Sequence, residues 1–242
     1  MAAPRLDGDI ARALARSGVY RHLGRAFGYP TPSVLEELIA VGVRLAGMPE
    51  TPEGARESLA RFTAAAREAD LSTLADEYVF LFDRQVRCPP YESAYGEAPQ
   101  MAGKAAELAD VAGFYAAFGL TPGSARPDME DHIAAELEFM SVLALKEAYA
   151  GAEGLLDGLA VTRHAQTAFL TEHLGRWAEA FASRLEATTP VAYYAAAAGL
   201  LAAWIRAERE VLGATPVRLE HVGAPGPLGE DSFTCPMSEP VE

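Results

Sequence analysis

At 242 residues, half of them hydrophobic, the chain can bury a sizeable core without disulfide or metal staples. Its 34 acidic residues against 20 basic ones leave a formal net charge of −14. That balance excludes the basic footprint of a nucleic-acid binder, repels anionic membranes and attracts cationic peptides. Ala is abundant while Val and Ile are scarce, which favours helix over strand. The first ten residues, MAAPRLDGDI, hold no apolar stretch of the kind a secretory signal needs. The longest nearly apolar run, Val191 to Ile205, is short of the roughly 20 residues of a membrane span. A cytoplasmic protein with no stable membrane insertion is expected. Cys88 and Cys235 lie far apart and form no CxxC pair, so no zinc knuckle is suggested.

In chain order, a first helix is predicted from about Asp9 to Phe27, with Val19, Tyr20, Leu23 and Phe27 on one face. Gly28, Pro30 and Pro32 stop it. Thr31 then reads as an N-cap with Pro32 in the first turn, and Thr51 with Pro52 repeats the signal. A fourth helix spans about Ser72 to Asp83, with Leu74, Tyr78, Leu81 and Phe82 on its buried face. A turn-rich loop from Arg84 to about Gln100 follows, then a helix bearing Leu108, Val111, Tyr115 and Phe118. Thr121 to Asp128 breaks the pattern before a long helix from about Met129 to Tyr149. Helices near Leu159–Leu174 and Trp177–Leu185 are separated or kinked at Gly175. A last helix starts after Thr189 and Pro190, with Tyr193, Ala197, Leu200, Leu201 and Trp204 inward. No alternating strand pattern is found. The expectation is an all-α, compact single-domain bundle of about eight to nine helices over residues 1–212. Residues 213–242 read as an irregular, acidic, Pro-rich tail.

Two segments carry unusual chemistry. In CPPYESAYG, Pro89 and Pro90 fix two φ angles and disfavour helix, and Tyr91, Glu92, Ser93 and Tyr95 follow at once. Tyrosines on a stiff segment offer an apolar surface with polar tips, and a carboxylate beside them can accept a bidentate guanidinium. The alternative is a loop that tucks its tyrosines into the bundle. In DHIAAELEFM, helical spacing puts His132, Glu136, Phe139, Met140 and Leu143 on one face, with Asp131 near the helix N-terminus. His132 there can be a hydrogen-bonded core residue, a base or a metal ligand. Paired Glu-x-x-His di-iron motifs are absent: Val19, Met129, Val161, Leu170 and Arg218 stand three positions before the five histidines. Phosphate loops, GxSxG and HExxH are also absent. A small helical metal protein or enzyme using His132, Glu136 and Cys88 is the alternative in a different class.

Taken together, Tyr78-Val79-Phe80-Leu81-Phe82, Pro89-Pro90-Tyr91-Glu92-Ser93, Asp131-His132 and Glu136 to Met140 resemble the TorD/DmsD/NarJ group of redox-enzyme maturation chaperones. The resemblance covers about Tyr20 to Trp204. The family's second motif usually has a proline close to the Asp-His pair; here Pro127 lies four residues before Asp131. The acidic tail with Cys235 resembles the branch serving type II dimethyl-sulfoxide-reductase-like enzymes. The resemblance implies an all-helical cytoplasmic chaperone, monomer or homodimer, with no catalytic residues, metal or cofactor. Its implied partners are the molybdopterin-containing catalytic subunit of such an enzyme and that subunit's twin-arginine leader. The residues it points to for client binding are Tyr78, Leu81, Phe82, Pro89, Pro90, Tyr91, Glu92, Ser93, Tyr95, Asp131, His132 and Glu136.

Overall fold

Helix α1 (Ala3–Ala26) and helix α6 (Ile133–Ala152) form the spine of the protein, lying antiparallel along most of their length. The Ser17 and Ser141 hydroxyls meet at 3.1 Å, and Gly24 faces Ala134 near the other end. The computed structural model describes residues 3–95, 101–121 and 130–219. Within them lie nine α-helices and no strand. The other seven are α2 (Pro32–Gly47), α3 (Glu53–Glu68), α4 (Leu71–Tyr78), α5 (Met101–Ala117), α7 (Leu156–Glu172), α8 (Leu174–Thr188) and α9 (Ala192–Leu212). The expected break at 122–128, the Met129 start and the tail from 220 onward with Cys235 lie outside the described residues.

Three helix starts, those of α2, α4 and α6, follow from side-chain capping. Thr31 accepts the Val34 N–H at 3.3 Å to open α2, and Asp70 accepts the Thr73 N–H at 2.9 Å to open α4. Thr51 does not open α3. Its hydroxyl donates to the Leu45 carbonyl at 2.9 Å, closing the end of α2, and Pro52 takes the cap position. The fourth helix also departs from a regular α-helix: Val79–Asp83 widens into one π-turn, with Arg84 N–H bonded to Val79 O at 2.9 Å.

Helices α7 and α8 are separate. The chain breaks at His173, where φ is −128° and ψ −100°. Gly175 then passes so close to the Leu170 carbonyl that a Cβ there would collide with it. Helix α9 ends at Gly213 in the left-handed conformation, φ +65°. Beyond it the chain runs back along α8, and Leu219 N–H donates to the Arg176 carbonyl at 2.8 Å.

One core runs through all these helices. Tyr20 and Leu23 of α1, Leu137 and Met140 of α6, Trp177 and Phe181 of α8, and Tyr194 and Trp204 of α9 are fully buried. Tyr20 meets Trp204 edge to face at 5.4 Å, and Phe27 meets Phe181 at 5.4 Å. Burying each such side chain contributes about 1.5–3 kcal/mol. No described helix is long and apolar enough to cross a membrane.

A charged network threads this core. Arg16 of α1 is 4% exposed; its Nε donates to both Glu208 oxygens, at 2.8 and 3.0 Å. Its other nitrogens donate to Glu147 at 2.8 Å and Gln166 at 2.7 Å, tying α1 to α6, α7 and α9. His22, also of α1, is buried edge-on against Phe62 at 5.4 Å. Burial pulls its imidazole down to about 4, against a smaller opposing effect of Glu37.

Candidate functional site

Two segments far apart in sequence meet in a single antiparallel bridge between Tyr91 and His132. Pro89-Pro90 keeps the first segment extended, which leaves its main chain free to pair. The Pro90 carbonyl accepts the Ile133 N–H at 2.8 Å, and Glu92 N–H donates to the Asp131 carbonyl at 3.0 Å. The Asp131 carboxylate then accepts the Ser93 N–H at 3.0 Å, so side chain and main chain pin the same turn. Residues Glu92–Ala94 form a short 3-10 turn there. Tyr95 closes the loop by donating its hydroxyl to the Pro89 carbonyl at 3.0 Å, with its ring 5.2 Å from Trp177.

His132 caps α6. Its Nδ1 accepts the Ala134 N–H at 3.1 Å, and its ring meets Tyr91 at 5.2 Å. Histidine is an unusual cap, but an unprotonated ring nitrogen accepts as a hydroxyl oxygen does. One turn further, Glu136 is fully buried, and its Oε2 accepts the Trp177 indole N–H at 3.2 Å.

The outcome is a set of three carboxylates, Glu92, Asp131 and Glu136, each with no exposed surface. Glu92 Oε2 lies 3.0 Å from His173 Nδ1, and its Oε1 is 3.8 Å from Arg176 Nη1. Glu92 Oε1, Asp131 Oδ1, Glu136 Oε1, the Ser93 hydroxyl and His173 Nε2 have no hydrogen-bond partner. Asp110 of α5 approaches that His173 nitrogen at 3.4 Å, without hydrogen-bond alignment. Burial, then the charge of Glu92, pushes the Glu136 carboxyl well above the usual carboxylate range. Burial and Glu92 also raise Glu107 on α5. Tyr115 of α5 is raised by burial, then by Glu136 and Asp131, and its hydroxyl donates to the Glu130 carbonyl at 2.8 Å.

The residues singled out from the sequence divide by exposure. Leu81 and Phe82 are core side chains, Phe82 lying 5.8 Å from Tyr194 and 6.2 Å from Phe181. Pro90, Glu92, Ser93, Tyr95, Asp131, His132 and Glu136 are buried as well. Tyr78, Pro89 and Tyr91 keep part of their surface exposed. Tyr78 stacks edge-on with Tyr29, itself 54% exposed, at 5.2 Å. Reading the sequence missed Tyr29 as the neighbour of Tyr78, and His173, Arg176, Trp177, Glu107 and Asp110 as neighbours of the carboxylates or of His173. Only the glycine after His173 hinted that the α7–α8 joint was special.

Among the described residues no group of three or more His, Cys, Asp and Glu is arranged to hold a metal. Cys88 is buried, its thiol points at the Phe181 carbonyl at 3.7 Å, and burial pushes it up to about 12. A thiol held protonated in this way is not a nucleophile. A separate polar cleft of about 340 Å³ opens beside Arg12, Arg16 and Arg163, lined by none of the residues of the Tyr91–His132 junction. Each of its arginines is already paired with a carboxylate.

Residues 48–183, which include both motif segments, match the family described as nitrate reductase delta subunit. The perchlorate reductase assembly chaperone protein of Dechloromonas aromatica (strain RCB) is 26% identical over 211 residues, covering 83% of this chain and 91% of that protein. The chaperone protein TorD of Vibrio cholerae serotype O1 (strain M66-2) is 29% identical over 147 residues, covering 60% of this chain and 64% of TorD. A solved structure named as a redox enzyme maturation protein from Archaeoglobus fulgidus has the same fold. Its TM-score is 0.50 at 24% identity, covering 81% of this chain and 93% of that one.

Proposed function

This chain belongs to the nitrate reductase delta subunit family, the TorD/NarJ group of redox-enzyme maturation chaperones, and from that premise we propose that it matures a molybdenum-containing oxidoreductase. Its relatives are named as chaperones, one of them as an assembly chaperone. In this reading it works in the cytoplasm, holding the catalytic subunit of a dimethyl-sulfoxide-reductase-class enzyme while the cofactor is inserted, before export. The relative named for perchlorate reductase supports a client of that class. Residues 1–212 act as the chaperone body and 213–242 as an appended acidic tail.

The observation that carries the reading is the Tyr91–His132 bridge. It gathers a proline-stiffened aromatic loop and three buried carboxylates at one end of α6. A twin-arginine leader offers the complement, two guanidiniums followed by an apolar stretch. The apolar stretch lies against the part-exposed surfaces of Tyr29, Tyr78, Pro89 and Tyr91. The net charge of −14 steers the cationic end toward the chaperone.

Calorimetric titration of the full chain with a synthetic peptide, two arginines followed by an apolar run, tests this. Saturable one-to-one binding is expected, weakened by Tyr91→Ala. Absence of binding, together with failure to co-purify with any molybdenum enzyme subunit, rejects the reading.

A further inference from the structure

Three buried segments meet near the N-terminus of α6, and five of their polar atoms have no hydrogen-bond partner. They are Glu92 Oε1, Ser93 Oγ, Asp131 Oδ1, Glu136 Oε1 and His173 Nε2. Each belongs to a residue at least nine-tenths buried. Such atoms cost free energy unless something satisfies them. Three of the four acidic or hydroxyl side chains here are carboxylates, and like charges this close cannot all stay ionised without a compensating cation or a proton. A metal is disfavoured by the arrangement of ligands. The compensating charges at hand are a proton, shared among the carboxyls and the His173 ring 3.0 Å from Glu92, and a side-chain guanidinium, as Arg176 Nη1 shows from 3.8 Å.

We propose that the Glu92–Asp131–Glu136 cluster is a proton-for-guanidinium exchange site. In the free chaperone the cluster holds a proton, and an arginine of the client's leader expels that proton to solvent as it docks. This rests on the reading above that the junction receives the leader. Charge balances at each step: the cluster loses one proton and gains one fixed positive charge. Helix α5 covers the site and moves aside for the arginine. Phe114 and Tyr115 of the helix, with Phe118 just beyond its end, rest on Phe139 of α6, Phe169 of α7 and His173 of the α7–α8 joint. Phe114 and Phe118 are only half-buried, so the cover is shallow.

The proton resides on Glu136. Acting on it are Glu92 from the 3-10 turn, Asp131 ahead of α6, Glu107 and Tyr115 from α5, and Trp177 of α8. One step further out, His173 and Arg176 approach Glu92, Asp110 approaches His173, and Glu130 lies by Tyr115. Burial and the nearby carboxylates keep Glu136 protonated, and a docked guanidinium reverses that preference.

The test is titration of the full chain with the Arg-Arg peptide at pH 7 in two buffers of very different ionisation enthalpy. The expected result is release of about one proton per peptide, with affinity rising about tenfold per pH unit while Glu136 remains protonated. A peptide with both arginines replaced by citrulline, neutral and of the same shape, binds without proton release. Glu136→Gln, nearly isosteric, binds the Arg-Arg peptide with no release. Binding without proton release by the native chain overturns the exchange and leaves the leader-binding reading intact. Equal release by Glu136→Gln also overturns it, because the proton then comes from another group. No binding of either peptide between pH 6 and 8 overturns the exchange together with the leader-binding reading.

Discussion

Asp131 holds Ser93: its carboxylate accepts the Ser93 N–H at 3.0 Å, across 38 residues, with both residues buried. This bond and the Tyr91–His132 bridge make one structural unit of two sequence motifs. The aromatic loop therefore cannot shift without disturbing the first turn of α6.

A stability prediction follows for these residues. Read as exposed binding groups, Asp131 and His132 would be replaceable by Ala with thermal stability nearly intact. Their burial reverses the expectation. Asp131→Ala strands a buried N–H, at about 1–3 kcal/mol. His132→Ala removes the α6 cap, at about 1 kcal/mol. Urea denaturation of the double variant should show a midpoint lowered by about 2–4 kcal/mol equivalent at unchanged slope. An unchanged midpoint would mean that these bonds are dispensable in solution.

Arg16 sets a second expectation. Its guanidinium is shared among Glu208, Glu147 and Gln166 in the core. Arg16→Ala leaves two buried carboxylates facing one another and should cost about 3–5 kcal/mol. Arg16→Lys should recover only part of that, because an ammonium cannot reproduce the bidentate bond to Glu208. Arg12→Ala, which breaks a half-exposed pair with Asp9, should cost no more than about 1 kcal/mol. Thermal melts of the three variants rank them. Equal losses for Arg12 and Arg16 would contradict the buried network.

Two buried titratable groups give pH dependences of opposite sign. His22 sits at about 4 in the folded chain against 6.5 unfolded, so the unfolded state takes up its proton first. Its contribution is fully present above pH 6.5 and is lost as pH falls toward 4, by about 3 kcal/mol in all. Glu136 is raised instead. Its contribution is present below pH 4.5 and is lost as pH climbs through its folded value. Denaturant titrations across pH 4 to 8 should show a flatter acid limb for His22→Leu. Glu136→Gln should show a stability gain that grows toward pH 8. A His22→Leu curve parallel to the native one would refute the buried neutral imidazole.

Much of the helix order was legible because its signals are local. Thr31-Pro32 states a helix start by the chemistry of its own side chains, and the stripe of Val19, Tyr20, Leu23 and Phe27 states which face of α1 is buried. What stayed hidden depends on partners distant in sequence. Nothing near Arg16 announces Glu208, 192 residues away. The π-turn at Val79 breaks no periodicity that a short apolar run can display. The candidate site was half legible. Asp131, His132, Glu92 and Tyr91 stood out as residue types, and the structure brings them together. Their burial was not readable, because charged residues beside prolines are ordinarily solvated. His173 and Trp177, which engage two of the three carboxylates, come from a joint whose only marker was Gly175.

That burial also changes how a leader's arginines should behave. On an exposed acidic loop they would add selectivity and on-rate, and their contribution would fade as the Debye length shrinks from ~10 Å at 0.1 M salt to ~3 Å at 1 M. Glu92, Asp131 and Glu136 are enclosed, where mobile ions screen little. The apolar stretch still supplies most of the affinity, since burying ~200 Å² contributes about 5 kcal/mol before ordering costs. Salt should therefore slow association while leaving the equilibrium affinity within about threefold between 0.1 and 1 M. Replacing both arginines by Lys should cost about tenfold or more, because a compact ammonium cannot fork between Glu92 and Asp131 as a planar guanidinium can. Polar substitutions in the apolar stretch should cost more still. Calorimetry at the two salt concentrations, with stopped-flow association rates beside it, separates these contributions. If 1 M salt abolished binding and the Lys peptide bound as tightly as the Arg peptide, the arginines would be resting on surface carboxylates and the enclosed cluster would play no part in holding them.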